Sequence, residues 1–518
     1  MAAVDHIIIG SGINALVAGA MLGLKGDRVL LLERESVAGG CLRTEEVTLP
    51  GFSHDVMAAT FVLFMTSPAG AVLGPHLVRH GLEYCHTPHP TAVLRPDGSA
   101  LVLTTDRAKN ISGFNALAAG DGDRHGTDVG AIQADAPFLF ALLGGSLWSW
   151  PTAKLLFGQV RKRGLRGLAA WMGSALAPAR GWLEGYQSPL VQALWAPWVL
   201  HCGLTPESTY SGQMAKVVAF ALEAAGAPVI KGGAGAAVRA FRGLIEEKGG
   251  EIRCGADVDK ITVKDGRVTG VRLADGEEIA CRSVLASVAP GQLYGRLLDV
   301  NLPEDRAAVQ GYRHGRGDFQ LHYALDAVPE WTTDGLQDVA LIHLADGIDS
   351  VSKSANEAER GMLPATPTIC VGQPHRLDPS RCPEGKAILW LQIPDAPRVI
   401  KGDAGGEIAG NDWDTVKEAF ADRLEAILLR HIRNFDQIKL ARRAYSPADL
   451  ERMNINLVGG DPYGGACSID QFFIWRPFAH STNGTGPVRG LIHIGASTHP
   501  GPGLGGGSGF NAAKRLGA

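Results

Sequence analysis

Apolar and polar positions change rhythm along this chain of 518 residues, and each rhythm predicts an element. VDHIII near the N-terminus closes on the apolar run Ile7-Ile8-Ile9 and reads as a buried strand from Val4 to Ile9. Gly10-Ser11-Gly12 interrupts it, and from Ile13 to about Leu24 apolar residues cover a helix that Gly26-Asp27 ends. Arg28 to Leu32 is a second apolar run that closes on Glu33. Strand, helix and strand in so short a stretch make a βαβ unit.

A second pattern of this kind starts at about Gly232. GGAGAAVRAFRGLIEEKGG predicts a helix, followed by a strand over Glu251 to Cys254. A meander comes next, turning at Asp265-Gly266 and Asp275-Gly276, and then a strand from Ser283 to Ala286. Gly233-Ala234-Gly235 has neither a good strand before it nor an acid at the right distance after it, so it reads as the start of a helix. Residues 110–228 differ: apolar residues recur at helical spacing, and six of the ten tryptophans fall within 51 residues, which predicts a helical lobe. Beyond it come strands at Phe319 to Leu325 and Ala387 to Gln392, and a helix from about Trp413 to Ile432. The apolar run Leu491 to Ile494 feeds GASTHPGPGLGGGSGFNAA, with seven glycines in its first 17 positions: strand, glycine turn, helix.

These elements predict an α/β chain with a Rossmann-type nucleotide-binding domain, a parallel sheet plus an antiparallel meander, built from residues 1–66, 228–295 and 485–518. An α+β substrate domain, 67–227 and 296–484, is inserted into it, and the helical lobe occupies about 110–227.

Composition narrows the function. A formal charge of −4 argues against a general nucleic-acid binder, which needs a basic face. Glycine, at 67 residues, is nearly twice its usual share without any period, which leaves tight turns or close backbone approaches to a ligand. The eight cysteines form no C-x-x-C, so neither a dithiol motif nor metal-ligand spacing is present; free thiols in a reducing compartment and no metal are expected. With no visible signal peptide or membrane-length apolar run, a cytoplasmic location is expected. Residues 154–176 mix Lys154, Arg161, Lys162, Arg163 and Arg166 with Leu, Phe and Trp. This is either a helix with one solvated basic face and Trp in the core, or a surface lying peripherally on the inner face of a membrane.

The βαβ unit carries the chemistry. Gly10, Ser11 and Gly12 open the helix that begins at Ile13 and Asn14, with Ala15 in the third glycine position of the dinucleotide fingerprint. Backbone amides at such a helix start hold a pyrophosphate. Glu33, 21 residues after Gly12, can accept ribose hydroxyls and repels a 2′-phosphate, while Arg34 beside it pulls the other way. Gly39-Gly40, followed by Arg43 and Thr44, offers a second approach to the pyrophosphate and points to FAD rather than NAD.

GSGINALVAGAMLGLKG with Glu33, VAGGCLRTEE, LPGFSHD, LADGEEI with VLASVAP, GGDPYGGACSIDQFFIWRP and GLIHIGASTHPGPGLGGGSGFNAA span nearly the whole chain. On these blocks it resembles the carotenoid and phytoene desaturase group of FAD-dependent oxidoreductases. Within that group it resembles the branch containing carotene ketolase and pyridine nucleotide-disulphide oxidoreductase domain-containing protein 2. The lobe at about 110–228 has no counterpart among these motifs. The resemblance implies noncovalent FAD in extended form, with Val258 at the adenine, Ala286 near the pyrophosphate, and the segment from Gly495 beside the ribityl chain and ring. Gly503-Leu504-Gly505 would then present backbone N–H groups to the flavin at N1 and O2.

The expected activity is hydride removal from a C–H bond of a largely apolar polyene or aromatic small molecule, as an oxidase, dehydrogenase or desaturase, with oxygen or a quinone as electron acceptor. A saturase, a redox-neutral isomerase and a flavin-binding protein without an enzymatic role are the alternatives. Candidates facing substrate are His499 in the glycine turn, His54 after LPGFS, and Gln471 and Arg476 flanking FFIW; loop anchoring is the competing role for each.

Overall fold

The computed structural model describes residues 4–518. Five parallel strands stand side by side in a first sheet, in the order Glu251–Arg253, Val29–Leu32, Val4–Ile9, Glu278–Ser287, Leu491–Ile494. All of Val29–Leu32 and Leu491–Ile494 is buried, as strands covered on both faces require. The Glu278–Ser287 strand is longer than its apolar run predicts. Its first residues pair antiparallel with Arg267–Leu273 in the meander and are half-exposed, while Ser283 to Ala286 are buried in the parallel sheet. Asp265 and Gly266, both at positive φ, make the tight turn between Val258–Lys264 and Arg267–Leu273.

Three helices pack on this sheet: Ile13–Lys25, Ala234–Glu247 and Gly507–Arg515. The last two meet the first, and the contact with Gly507–Arg515 is very close. A Cβ on Gly509 would lie 1.9 Å from the Asn14 carbonyl oxygen, so only glycine fits. The glycine-rich C-terminus is thus packed structure joined to the first helix.

A second seven-stranded sheet has the order Lys439–Tyr445, Gly317–Leu325, Ala387–Ala396, Ile369–Gly372, Leu341–Leu344, Thr91–Leu94, Ala100–Leu103. Helix Trp413–Leu428 covers one face, with Trp413 and Phe420 against Phe319. That helix stops four residues before the predicted Ile432, because His431 and Ile432 pair with Thr332 and Trp331 instead. The sheets are joined at Arg381, fully buried, whose guanidinium contacts Asp55 at 2.5 Å and Asp378 at 3.0 Å. Asp55 also accepts from Thr44 Oγ1 and the Ala234 N–H, tying the His54–Asp55 strand to the first sheet's helix layer.

Residues 107–225 form the helical lobe, including Arg107–Leu117, Asp121–Gly144, Trp150–Ala175 and Ser211–Ala225. Trp182, Trp195 and Trp198 belong to its core. Within it Glu223 is buried against His125, Arg107 and Asn110, and these three partners hold its carboxyl down to about 2 despite burial, which opposes them. Trp150–Ala175 is different: Thr152 is its one buried residue, and it bends at Gly164.

Candidate functional site

The first strand ends at a cavity that passes between the sheets. At one end Glu33 is fixed by three donors, the Ser11 N–H at 3.0 Å, the Ser11 hydroxyl at 2.6 Å and the Glu35 N–H at 3.0 Å. Ser11 Oγ in turn accepts from the Gly39 N–H at 2.8 Å, so the fingerprint and the diglycine are one hydrogen-bonded unit. Gly40, at φ +59°, presses on Gly12: a Cβ there would stand 3.1 Å from Gly12 Cα.

Gly12 itself is the informative glycine. Its φ of −66° suits any residue, and a Cβ there meets no protein atom within 4 Å. Folding does not demand glycine at this place, which borders the cavity and caps Ile13–Lys25 without any side-chain partner. The unpartnered amides of that helix start, and open space where a side chain would stand, fit a pyrophosphate. Residues Gly10 to Asn14, Glu33, Arg34, Gly39, Gly40, Arg43, Val258, Gly495, Gly503 and Leu504 all border the cavity.

Four of the predicted cofactor contacts do not reach it. Ala15 is buried in the helix-layer core, and Ala286 packs in the sheet core while the next three residues border the cavity. Thr44 is engaged by Asp55 and by the Gly235 N–H. Gly505 lies against the Leu63 backbone.

The substrate-facing candidates are likewise displaced. His499 Nε2 meets the Gly145 carbonyl at 2.9 Å, and burial lowers its pKa to about 4, so it is a neutral anchor for the lobe. His54 is buried edge-on to His322, with Nε2 on Thr48 Oγ1; burial and then Arg381 lower its pKa to about 3. Gln471 closes a pair of hydrogen bonds on the Arg313 backbone. Arg476 donates to the carbonyls of Tyr463, Ala466 and Ala496, stitching together two segments of the cavity wall. All four residues hold chain segments in place.

The opposite wall comes from the second sheet and was missed. GDFQLHYAL, Gly317–Leu325, alternates. Phe319, Leu321, Tyr323 and Leu325 enter the core under helix Trp413–Leu428, leaving Asp318, Gln320 and His322 on the other face. Asp318 and Gln320 border the cavity together with Gln392 from the neighbouring strand. The Gln320 and Gln392 amides donate to Asp318 Oδ2 at 2.8 and 3.3 Å, and Trp390 Nε1 donates to Gln320 Oε1 at 3.0 Å. Asp318 Oδ1 has no partner among the described residues, and burial pushes the carboxyl up to about 7. A polar face on a strand that is buried throughout was the available signal.

Farther along the same sheet, His343 and Cys370 are cross-strand neighbours, and His201 from the lobe joins them with all three donor atoms within 4.8 Å. These residue types can hold a metal, and no linear spacing announces them. Here the two rings contact each other through Nε2 at 2.8 Å, and burial lowers both pKa values, to about 4 for His201.

Comparison with known proteins fits this geometry. A pattern described as an NAD(P)-binding Rossmann-like domain matches residues 8–74. Pyridine nucleotide-disulfide oxidoreductase domain-containing protein 2 of Rattus norvegicus is 29% identical over 98% of this chain and 92% of its own length. A limonene dehydrogenase chain of Castellaniella defragrans is 25% identical over 99% and 94%. Hydroxyneurosporene desaturase of Rubrivivax gelatinosus is 26% identical over 96% and 90%. Along its whole length the chain is similar to these oxidoreductases. The likeness extends from end to end, covering the lobe and the second sheet as well as the nucleotide fold. An oxidoreductase from Methanosarcina mazei shares its fold, with a TM-score of 0.62 at 14% identity over 99% of this chain and 100% of that one. These relatives are named for oxidoreductase, dehydrogenase and desaturase chemistry.

Proposed function

We propose that the protein holds FAD noncovalently and in extended form, and oxidises a largely apolar small molecule by removing hydride from a C–H bond. The spare space at Gly12 carries this reading, since it is a glycine that folding leaves unexplained beside an uncapped helix start. Glu33 is poised for a ribose, and the backbone of Gly10 to Asn14 with Gly39 and Gly40 for the pyrophosphate. Gly495, Gly503 and Leu504 would lie against the ring. Bound there, FAD supplies a two-electron acceptor for hydride. The chain's own contribution is to orient the reacting carbon between these backbone segments and the Asp318–Gln320–Gln392 face, and to keep water out. Limonene and a linear carotene, the kinds of molecule named for its relatives, are the first substrates to try, with oxygen or a quinone as final acceptor.

The test is anaerobic mixing of the yellow holoprotein with these probes. Bleaching of the oxidised flavin is expected, and turnover with no bleaching would instead indicate redox-neutral chemistry. Gly12→Val should fold normally, with the melting profile of the FAD-free wild type, yet purify colourless. A Gly12→Val protein that retains FAD in full would remove the main support for the site.

We also propose that helix Trp150–Ala175 rests on an anionic membrane. Supporting this, Trp150, Phe157 and Leu165 are 80%, 69% and 74% exposed; the first two, seven residues apart, share one face, and Leu165 follows the bend at Gly164. Residues 150–176 contain no acid. Lys154, Arg161, Lys162 and Arg166 have no ion pair among the described residues, whereas Arg163 is held by Asp135. No helix among the described residues is long and apolar enough to cross a membrane. Co-sedimentation with phosphatidylcholine vesicles should need added phosphatidylserine and should fail for Trp150→Asp/Phe157→Asp. Self-association in place of vesicle binding would overturn the idea.

A further inference from the structure

We propose that Asp318 is the base that takes the proton when the substrate's second C–H bond breaks. The inference rests on the hydride-removing reading above and adds to it the fate of the other hydrogen. Making a double bond removes two hydrogens. One leaves as hydride, with both electrons of its C–H bond, to the flavin. The electron pair of the adjacent C–H bond becomes the new π bond, and the proton left over needs an acceptor within the cavity.

Among the described residues Asp318 meets the requirements of that acceptor. It is 2% exposed and borders the cavity, and the flanking amides fix its carboxylate through Oδ2, leaving Oδ1 free of any protein donor. A buried polar atom without a partner carries a cost that a substrate contact would relieve. The strand's alternation sets the side chain rigidly, because Phe319 on the opposite face is locked against Trp413 and Phe420. The histidines that sequence reasoning favoured are engaged elsewhere and held neutral by burial. Burial also pushes the Asp318 carboxyl up to about 7, where a base can both take and release a proton near neutrality.

The groups around it leave that titration legible. Just before its strand, Arg316 is committed to Glu359 and the Leu204 carbonyl. Asp395 on the neighbouring strand is pushed by burial to about 6, accepts from Ser354, and does not border the cavity. Cys41, Cys370 and Tyr463 are all raised by burial, Cys41 to about 11, so they stay neutral over the same range. Arg43 borders the cavity but is paired with Glu45.

Two measurements on the holoprotein test the assignment. The first needs no substrate: infrared titration should find a protonated carboxyl band that fades as pH rises through about 7, persists in Asp395→Asn and is missing in Asp318→Asn. The second follows anaerobic flavin bleaching by whichever probe reduces the wild type. Asp318→Asn should keep its full FAD content while its reduction rate falls at least about 100-fold, with the rise of rate with pH abolished. A variant that reduces at the wild-type rate with the same pH profile, or a band fading near pH 7 that survives when Asp318→Asn is added to Asp395→Asn, would overturn the proposal. If no probe bleaches the wild type, the hydride-removing reading fails, and with it the base role, whatever the infrared band does.

Discussion

At the scale of single residues, the two sheets are held in register by buried charge. Arg381 satisfies Asp55 and Asp378 together, and Asp55 passes the constraint on to Thr44 and the Ala234 amide. Removing the cation would leave two carboxylates uncompensated, the costly way to break a buried pair. Asp318 is the contrasting case, an acid with amide partners but no cation. Its carboxyl is raised from 3.8 to about 7 in the folded chain. Between those values the unfolded chain has released its proton and the folded chain still holds it, so this group's contribution makes stability fall as pH rises across that window and stay level above it. Asp318→Asn removes that penalty. Urea unfolding from pH 4.5 to 8 should therefore show the variant gaining on the wild type up to about pH 7 and no further. A gap that stays constant across the window would mean that the folded carboxyl is already ionised at low pH.

At the scale of elements, the C-terminal helix depends on its approach to the first one. A methyl at Gly509 would need space that the Asn14 carbonyl occupies, so Gly509→Ala should destabilise by about 1–3 kcal/mol or more, and it should also disturb Asn14 at the cavity. Differential scanning fluorimetry with parallel FAD titration checks both effects. The strands and helices around this contact were legible because their patterns are strong. Val4–Ile9 closes on three isoleucines, Asp265-Gly266 has turn chemistry, and Leu491–Ile494 is bounded by glycine. The nucleotide end of the cavity was legible for the same reason, since backbone cradles need glycine in sequence order. The catalytic wall was not. Asp318 and Gln392 are 74 residues apart and meet only through strand pairing, while His54 and His499 are conspicuous in the chain but lie behind the cavity wall. Single side chains such as Thr44 were misjudged because a neighbour in space, Asp55, claims the hydroxyl.

For the whole molecule, the two sheet-based bodies meet at the cavity, and FAD binding should stabilise the chain by mass action. The melting temperature should rise with free FAD concentration for the wild type and stay flat for Gly12→Val. The join between lobe and nucleotide fold suggests something more. The last carbonyls of helix Asp121–Gly144 and its cap are gripped by His499 Nε2 at Gly145 and by Asn511 Nδ2 at Gly144. Those two residues bracket Gly503 and Leu504, so the segment that would touch the ring is fastened at both ends to the lobe. Loading and emptying of the cavity can thereby be felt outside it. Amide hydrogens around residues 141–148 should exchange more slowly once FAD is bound, and His499→Ala should uncouple them, turning a neutral histidine into the clasp through which a distant helix senses occupancy.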